Sequence, residues 1–152
     1  MLRSILIGLV AGQRAMTPLA ALAGAARRGA LPYDNGEARM MRLPLIAAGG
    51  VAAAAAEMAG DKMTSAPDRT VMLGLLARTI TGGFAGAALA PPKRQVAGAA
   101  LGAGAAIAAS YAGLAMRRSA MRRWGQTATG VAEDIIVFAA ANAIVSATPA
   151  RA

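Results

Sequence analysis

The stretch SILIGLVAGQRAMTPLAALAG, Ser4 to Gly24, decides how the rest of the chain is read. It is long and apolar enough for a membrane span, yet it carries Arg14 at its middle and Pro18 four residues later. A charged side chain at bilayer depth costs at least ~2.5–3.5 kcal/mol on insertion scales, so it faces a bundle interior or a polar cavity rather than lipid. Pro18 has no N–H to bond the carbonyl four residues back, which is that of Arg14. A carbonyl released beside a buried arginine leaves two readings open, of which one is a helix broken near Pro18, as in discontinuous membrane helices. A simple kink satisfied by Thr17 or by a neighbouring helix is the other reading. A cleaved signal peptide fits less well, because Arg14 would interrupt its apolar core.

Working outward, four more apolar segments follow, near residues 43–60, 70–90, 95–116 and 130–147. Each, like 4–24, is close to the ~20 residues that cross a ~30 Å hydrocarbon core. Pro44 sits where a helix start tolerates it, and Pro91-Pro92 stop the third segment. Arg117-Arg118 close the fourth, and Trp124 is placed as an interfacial anchor. Polar loops are expected from Arg27 to Arg42 and from Asp61 to Arg69. The fold class read from this pattern is all-α: one transmembrane domain over residues 1–152, a polytopic bundle of about five membrane helices. The pairs Gly8/Gly12, Gly82/Gly86 and Gly98/Gly102 let helices approach closely and are read as packing.

Composition agrees. The chain is 57% hydrophobic and only 15% charged, with mean hydropathy +0.49, and residues 44–56 and 95–116 carry no charge at all. A soluble Ala-rich bundle would need charges along every helix. With no Cys and no His, disulfides, thiolate nucleophiles, imidazole-held metals and His-based acid–base chemistry are excluded. No cofactor, no metal and no enzymatic activity are expected. The net charge of +9 raises the question of nucleic acid, but aromatic content is 3% and the basic residues sit in short clusters between apolar blocks. Such clusters set topology or meet anionic lipid head groups, so membrane lipids and not nucleic acid are the expected partners.

Arg14 and Arg78 are each followed three residues on by a threonine, Thr17 and Thr81. If all five segments cross, the end of the second and the starts of the third and fifth share one side of the membrane. Glu57 and Asp61 are at that end of the second segment, and Glu133 and Asp134 are at that start of the fifth. Arg78 lies ~12 Å and Arg14 ~15 Å from the same side, within reach of snorkelling side chains. Arg14, Arg78, Glu57, Asp61, Glu133 and Asp134 therefore form one candidate ion- or substrate-binding cluster, with Thr17 and Thr81 as secondary donors. The acids outnumber the arginines, so a proton, a cation or Lys62 would balance them. Intramembrane ionisable groups point first to a transporter or channel for a small ion or a polar, anionic solute. The alternatives are a scaffold or assembly partner whose ion pairs only hold helices, or a protein that handles anionic lipid.

The strings Ala11-Gly12-Gln13-Arg14-Ala15-Met16-Thr17-Pro18, Glu57-Met58-Ala59-Gly60-Asp61-Lys62, Pro67-Asp68-Arg69-Thr70, Leu76-Ala77-Arg78 with Gly82 and Gly86, Tyr111, and Ala132-Glu133-Asp134 are in order along the chain. Together they resemble a family of bacterial integral-membrane proteins known only as a domain of unknown function, the DUF4126 type. One departure is Thr64, where that pattern has a proline. The resemblance implies a multi-pass protein of the bacterial cytoplasmic (inner) membrane and supplies no activity. A homo-oligomer is expected, since five short helices enclose little interior and Gly/Ala-rich faces invite further packing. Alternate loops carry seven basic residues on each side once Arg14 and Arg78 are set apart. The positive-inside rule gives no bias. Dual orientation, as in an antiparallel dimer, a segment that does not cross, and a noisy count all fit that balance.

Overall fold

A computed structural model describes residues 1–60 and 72–146, and every element in them is helical. In chain order these are α1 (Leu2–Gln13), α2 (Thr17–Arg27), α3 (Gly36–Met40), α4 (Pro44–Gly60), α5 (Met72–Ala88), α6 (Gln95–Trp124) and α7 (Gln126–Ser146). The chain is thus an all-α domain. Two of its helices, α6 and α7, are long and apolar enough to cross a membrane, while α1 and α4 are shorter apolar helices.

α1, α5 and α6 pack tightly against one another, and glycine is the reason. A Cβ on Gly8 of α1 would run into the Gly102 carbonyl of α6. A Cβ on Gly12 would lie 2.6 Å from the Ala106 carbonyl oxygen. On α5, a Cβ at Gly86 would strike the Gly98 carbonyl, and one at Gly82 would stand 2.9 Å from the Gly102 carbonyl and 3.2 Å from Ala11 Cβ. Gly102 is the point where all three helices meet. The three glycine pairs expected to pack do so, with backbones closer than any side chain would allow.

α2 lies mainly against α4 and α7, and α7 leans on α2 and α1 more than on α6. The apolar core at these contacts includes Ile7, Leu22, Met41, Leu89, Val137 and Val145. Asn35 ties the inter-helix loop to this body. Its Oδ1 accepts from Ala38 N–H at 2.9 Å, capping α3, and its Nδ2 donates to the Ala87 and Ala88 carbonyls at 3.0 and 3.1 Å. Pro91 and Pro92 cannot donate to these carbonyls from four residues on, so Asn35 supplies the donor for Ala88 and joins Ala90 N–H, at 3.1 Å, on Ala87.

Three boundaries differ from expectation. The segment 4–24 is broken rather than kinked, but the break falls at Arg14, Ala15 and Met16 and not at Pro18, which lies in the first turn of α2. The fourth segment does not end at residue 116: α6 continues through Arg117, Arg118, Arg122 and Arg123 to Trp124. Arginine is a good helix former, and nothing breaks the run until Gly125, whose φ of 79° stops it. The fifth segment starts at Gln126 rather than near 130, because that one glycine makes the whole turn. The loop Arg27–Arg42 also holds the short helix α3.

Candidate functional site

The polar centre of the molecule is the break between α1 and α2. Arg14 ends α1 in an extended conformation, φ −139° and ψ 111°, which turns the chain out of the helix. The next two residues then present their N–H groups together. Ala15 N–H donates to Glu57 Oε1 at 2.7 Å, and Met16 N–H donates to Glu57 Oε2 at 2.8 Å. The carboxylate of α4 thereby occupies the amino end of α2, where unsatisfied donors and the helix dipole favour an anion. Pro18 removes one further N–H that would otherwise need a partner there.

Arg14 itself is 1% exposed, the largest fully buried side chain among the described residues. Its Nη2 stands 2.5 Å from Oδ1 of Asp134 on α7. An uncompensated charge at this depth would be prohibitive, so the pair is what permits the arginine to be there. The carboxyl end of α1 is tied to α6. Ser110 Oγ, fully buried, donates to the Ala106 carbonyl at 2.8 Å and reaches the Gly12 carbonyl at 3.3 Å. Gln13 Nε2 donates to the Ala109 carbonyl at 3.0 Å. A break of three residues is therefore held from α4, α6 and α7 at once.

The other expected members lie as follows. Arg78 of α5 is buried, and Glu133 of α7 is half-buried; both are engaged in polar or electrostatic contacts. Thr17 is fully buried at the first position of α2. Thr81 is buried too, but its Oγ1 bonds the Ala77 and Arg78 carbonyls of its own helix at 2.9 and 3.3 Å. A buried threonine closing on the carbonyl one turn back is satisfied locally, so its proton is directed along α5 rather than across the bundle. Asp61, like Lys62 and the 67–70 string, falls outside the described residues. Tyr111 is exposed.

Sequence reasoning missed Gln13, Ser110 and Asn35. Ser110 had a signal: with Gln95 and Tyr111 it is one of three polar side chains in residues 95–116. A hydroxyl in so apolar a block is costly to bury unless it is hydrogen-bonded.

Beside the break, a groove of about 440 Å³ runs between α6 and α7. Gly113, Met116, Ala120 and Trp124 form one wall and Ile136 and Val137 the other, with Gln13 and Glu133 also reaching it. Among the described residues, no group of three or more acidic, His or Cys side chains could hold a metal ion. No family model, no curated protein and no solved structure matches this chain.

Proposed function

We propose that this chain is a multi-pass scaffold or assembly partner of the bacterial cytoplasmic membrane, of the family it resembles, whose buried ion pairs lock its helices together. One observation carries the reading. The two N–H groups that a broken helix would offer to an anionic solute are already filled by the protein's own Glu57. The buried arginine next to them is likewise paired, with Asp134. A transport site needs ligand positions that empty and refill, whereas here the two N–H groups of the break and the guanidinium of Arg14 each close on a carboxylate of the protein itself.

Exposure of the apolar helices supports the membrane part. Only 28% and 33% of the apolar windows of α6 and α7 are buried inside the fold. Leu45, Met72, Leu73 and Val96 stand 76–87% exposed. Large apolar side chains exposed on several helices are what lipid or another protein would cover. The five-span reading takes α1 and α2 as one interrupted span, with α4, α5, α6 and α7 as the others, and association into a homo-oligomer through their Gly/Ala-rich faces.

A transporter of a small ion or solute is the second reading, favoured by the broken helix with a charge at its centre. Proteoliposomes separate the two. Under the scaffold reading, proton, sodium, potassium and chloride fluxes stay at the level of empty vesicles. Asp134→Asn lowers thermal stability in detergent by ~3–5 kcal/mol, as expected for removing one partner of a buried pair. Flux above that level, abolished by Asp134→Asn in a protein that still folds and assembles, would overturn the scaffold reading.

A further inference from the structure

α6 and α7 are joined through Gly125 alone, yet α7 leans away toward α1 and α2 and leaves the groove open along α6. The α6 wall is a single helical face, from Gly113 through Met116 and Ala120 to Trp124, ~16 Å long at 1.5 Å per residue. Met116 is 72% and Ile136 67% exposed. Along helices as apolar as these, what lies against the groove in a bilayer is hydrocarbon. A volume of about 440 Å³ is within the range of sites that enclose a flexible apolar ligand.

The end of the groove at Trp124 has a different chemistry. α6 contains no acidic residue, and its last turn carries Arg122 and Arg123, both exposed. At 3.6 residues per turn Arg123 projects ~60° from Ala120, beside the groove, whereas Arg122 projects ~160° from it, on the far face. Tryptophan and arginine at a helix end are what the head-group layer favours. Among the described residues the one exposed acid, Asp34, is already paired with Arg42 at 2.9 Å and with Arg39 at 3.6 Å, and Glu133 lies on the α7 wall of the groove, about two turns from the Trp124 end. An anionic membrane surface matches this basic end.

We propose that the α6–α7 groove holds one acyl chain of an anionic phospholipid, with its phosphate bound by Arg123 at the Trp124 end. The proposal rests on the membrane reading and is independent of whether the ion pairs at the helix break are a lock or a pathway. Guanidinium groups suit phosphate through paired, charge-assisted hydrogen bonds.

The test uses the full chain purified in neutral detergent, with bound lipid counted by native mass spectrometry. Phosphatidylglycerol and phosphatidylcholine of identical acyl chains are titrated separately. Phosphatidylglycerol is expected to bind about fivefold more tightly, the effect of roughly one basic residue near a membrane surface. Arg123→Gln removes about fivefold of that affinity, and Arg122→Gln, equal in charge change and one residue away, removes less than about twofold. Ala120→Trp fills the groove and blocks binding, and Ile136→Trp does so from the opposite wall should the first variant not fold. Equal losses in Arg122→Gln and Arg123→Gln would mean diffuse attraction to the basic helix end and overturn the proposal. So would unchanged binding in the groove-filling variant that folds. If Ala120→Trp instead dissociates an oligomer without altering lipid binding, the occupant is a second copy of the chain and the proposal is wrong.

Discussion

Glu57→Ala is the most informative single change, because one carboxylate closes two backbone donors at 2.7 and 2.8 Å. Hydrogen bonds to a charged group contribute ~1.5–3 kcal/mol each, and a buried donor left alone costs ~1–3 kcal/mol. Ala15 is buried, while Met16 and Glu57 are half-buried, which moves the sum toward the low end of that range, near 3 kcal/mol. For a chain of this size that corresponds to a fall of ~6–12 °C in melting temperature. Glu57→Gln keeps one acceptor oxygen but turns an amide toward the second N–H, so about half the loss is expected. Thermal unfolding in detergent, followed by circular dichroism, reads both. Formate added to Glu57→Ala should restore part of the loss, since it returns a carboxylate to the emptied position, and it should leave the unaltered protein unchanged. An alanine variant that melts with the parent, or one that formate does not stabilise, would refute the view that Glu57 holds the break.

Two further outcomes follow from packing and charge. Gly102→Ala places a methyl group against the Gly82 carbonyl and should cost ~1–3 kcal/mol, whereas Gly104→Ala on the same helix meets nothing within 4 Å and should be neutral or gain ~0.5–1 kcal/mol, as read by thermal unfolding. Of the readings the balanced basic loops leave open, dual orientation has a direct test: under it, reporter fusions at Ala152, one active inside and one outside, both give signal, and two lysines added beside Lys93 push the population one way. Signal from one reporter alone, unmoved by the lysines, would reject dual topology.

A break in the first segment was one of two readings open in the sequence because its causes are local: a proline whose missing N–H frees a known carbonyl, and a charge too expensive to face lipid. That the chain leaves the helix at Arg14, four residues before Pro18, was not legible. The glycine contacts were legible for a similar reason, since a missing side chain permits only one kind of neighbour. The partners were harder. That Glu57 caps backbone rather than meeting an arginine depends on where α4 crosses the break, and no spacing encodes a crossing point. Likewise, Thr81 was expected to act across the bundle, but a threonine can always close on its own helix, and sequence does not say which way its hydroxyl turns. The end of α6 was missed because a change from apolar to basic marks where a membrane ends, not where a helix does. Only Gly125 marks the latter.

The distances along the chain between Arg14 and the groups that hold its neighbourhood set an order of events during synthesis. Ala15 and Glu57 are 42 residues apart, and Asp134 comes from α7, the last of the described helices. At ~5–20 residues per second, the first segment waits on the order of ten seconds for the acid that neutralises its arginine. Under the membrane reading proposed above, the segment is until then a poor span, with an uncompensated charge at its centre. A chain that stops before α7 lacks Asp134 and leaves the Arg14 charge without that partner permanently.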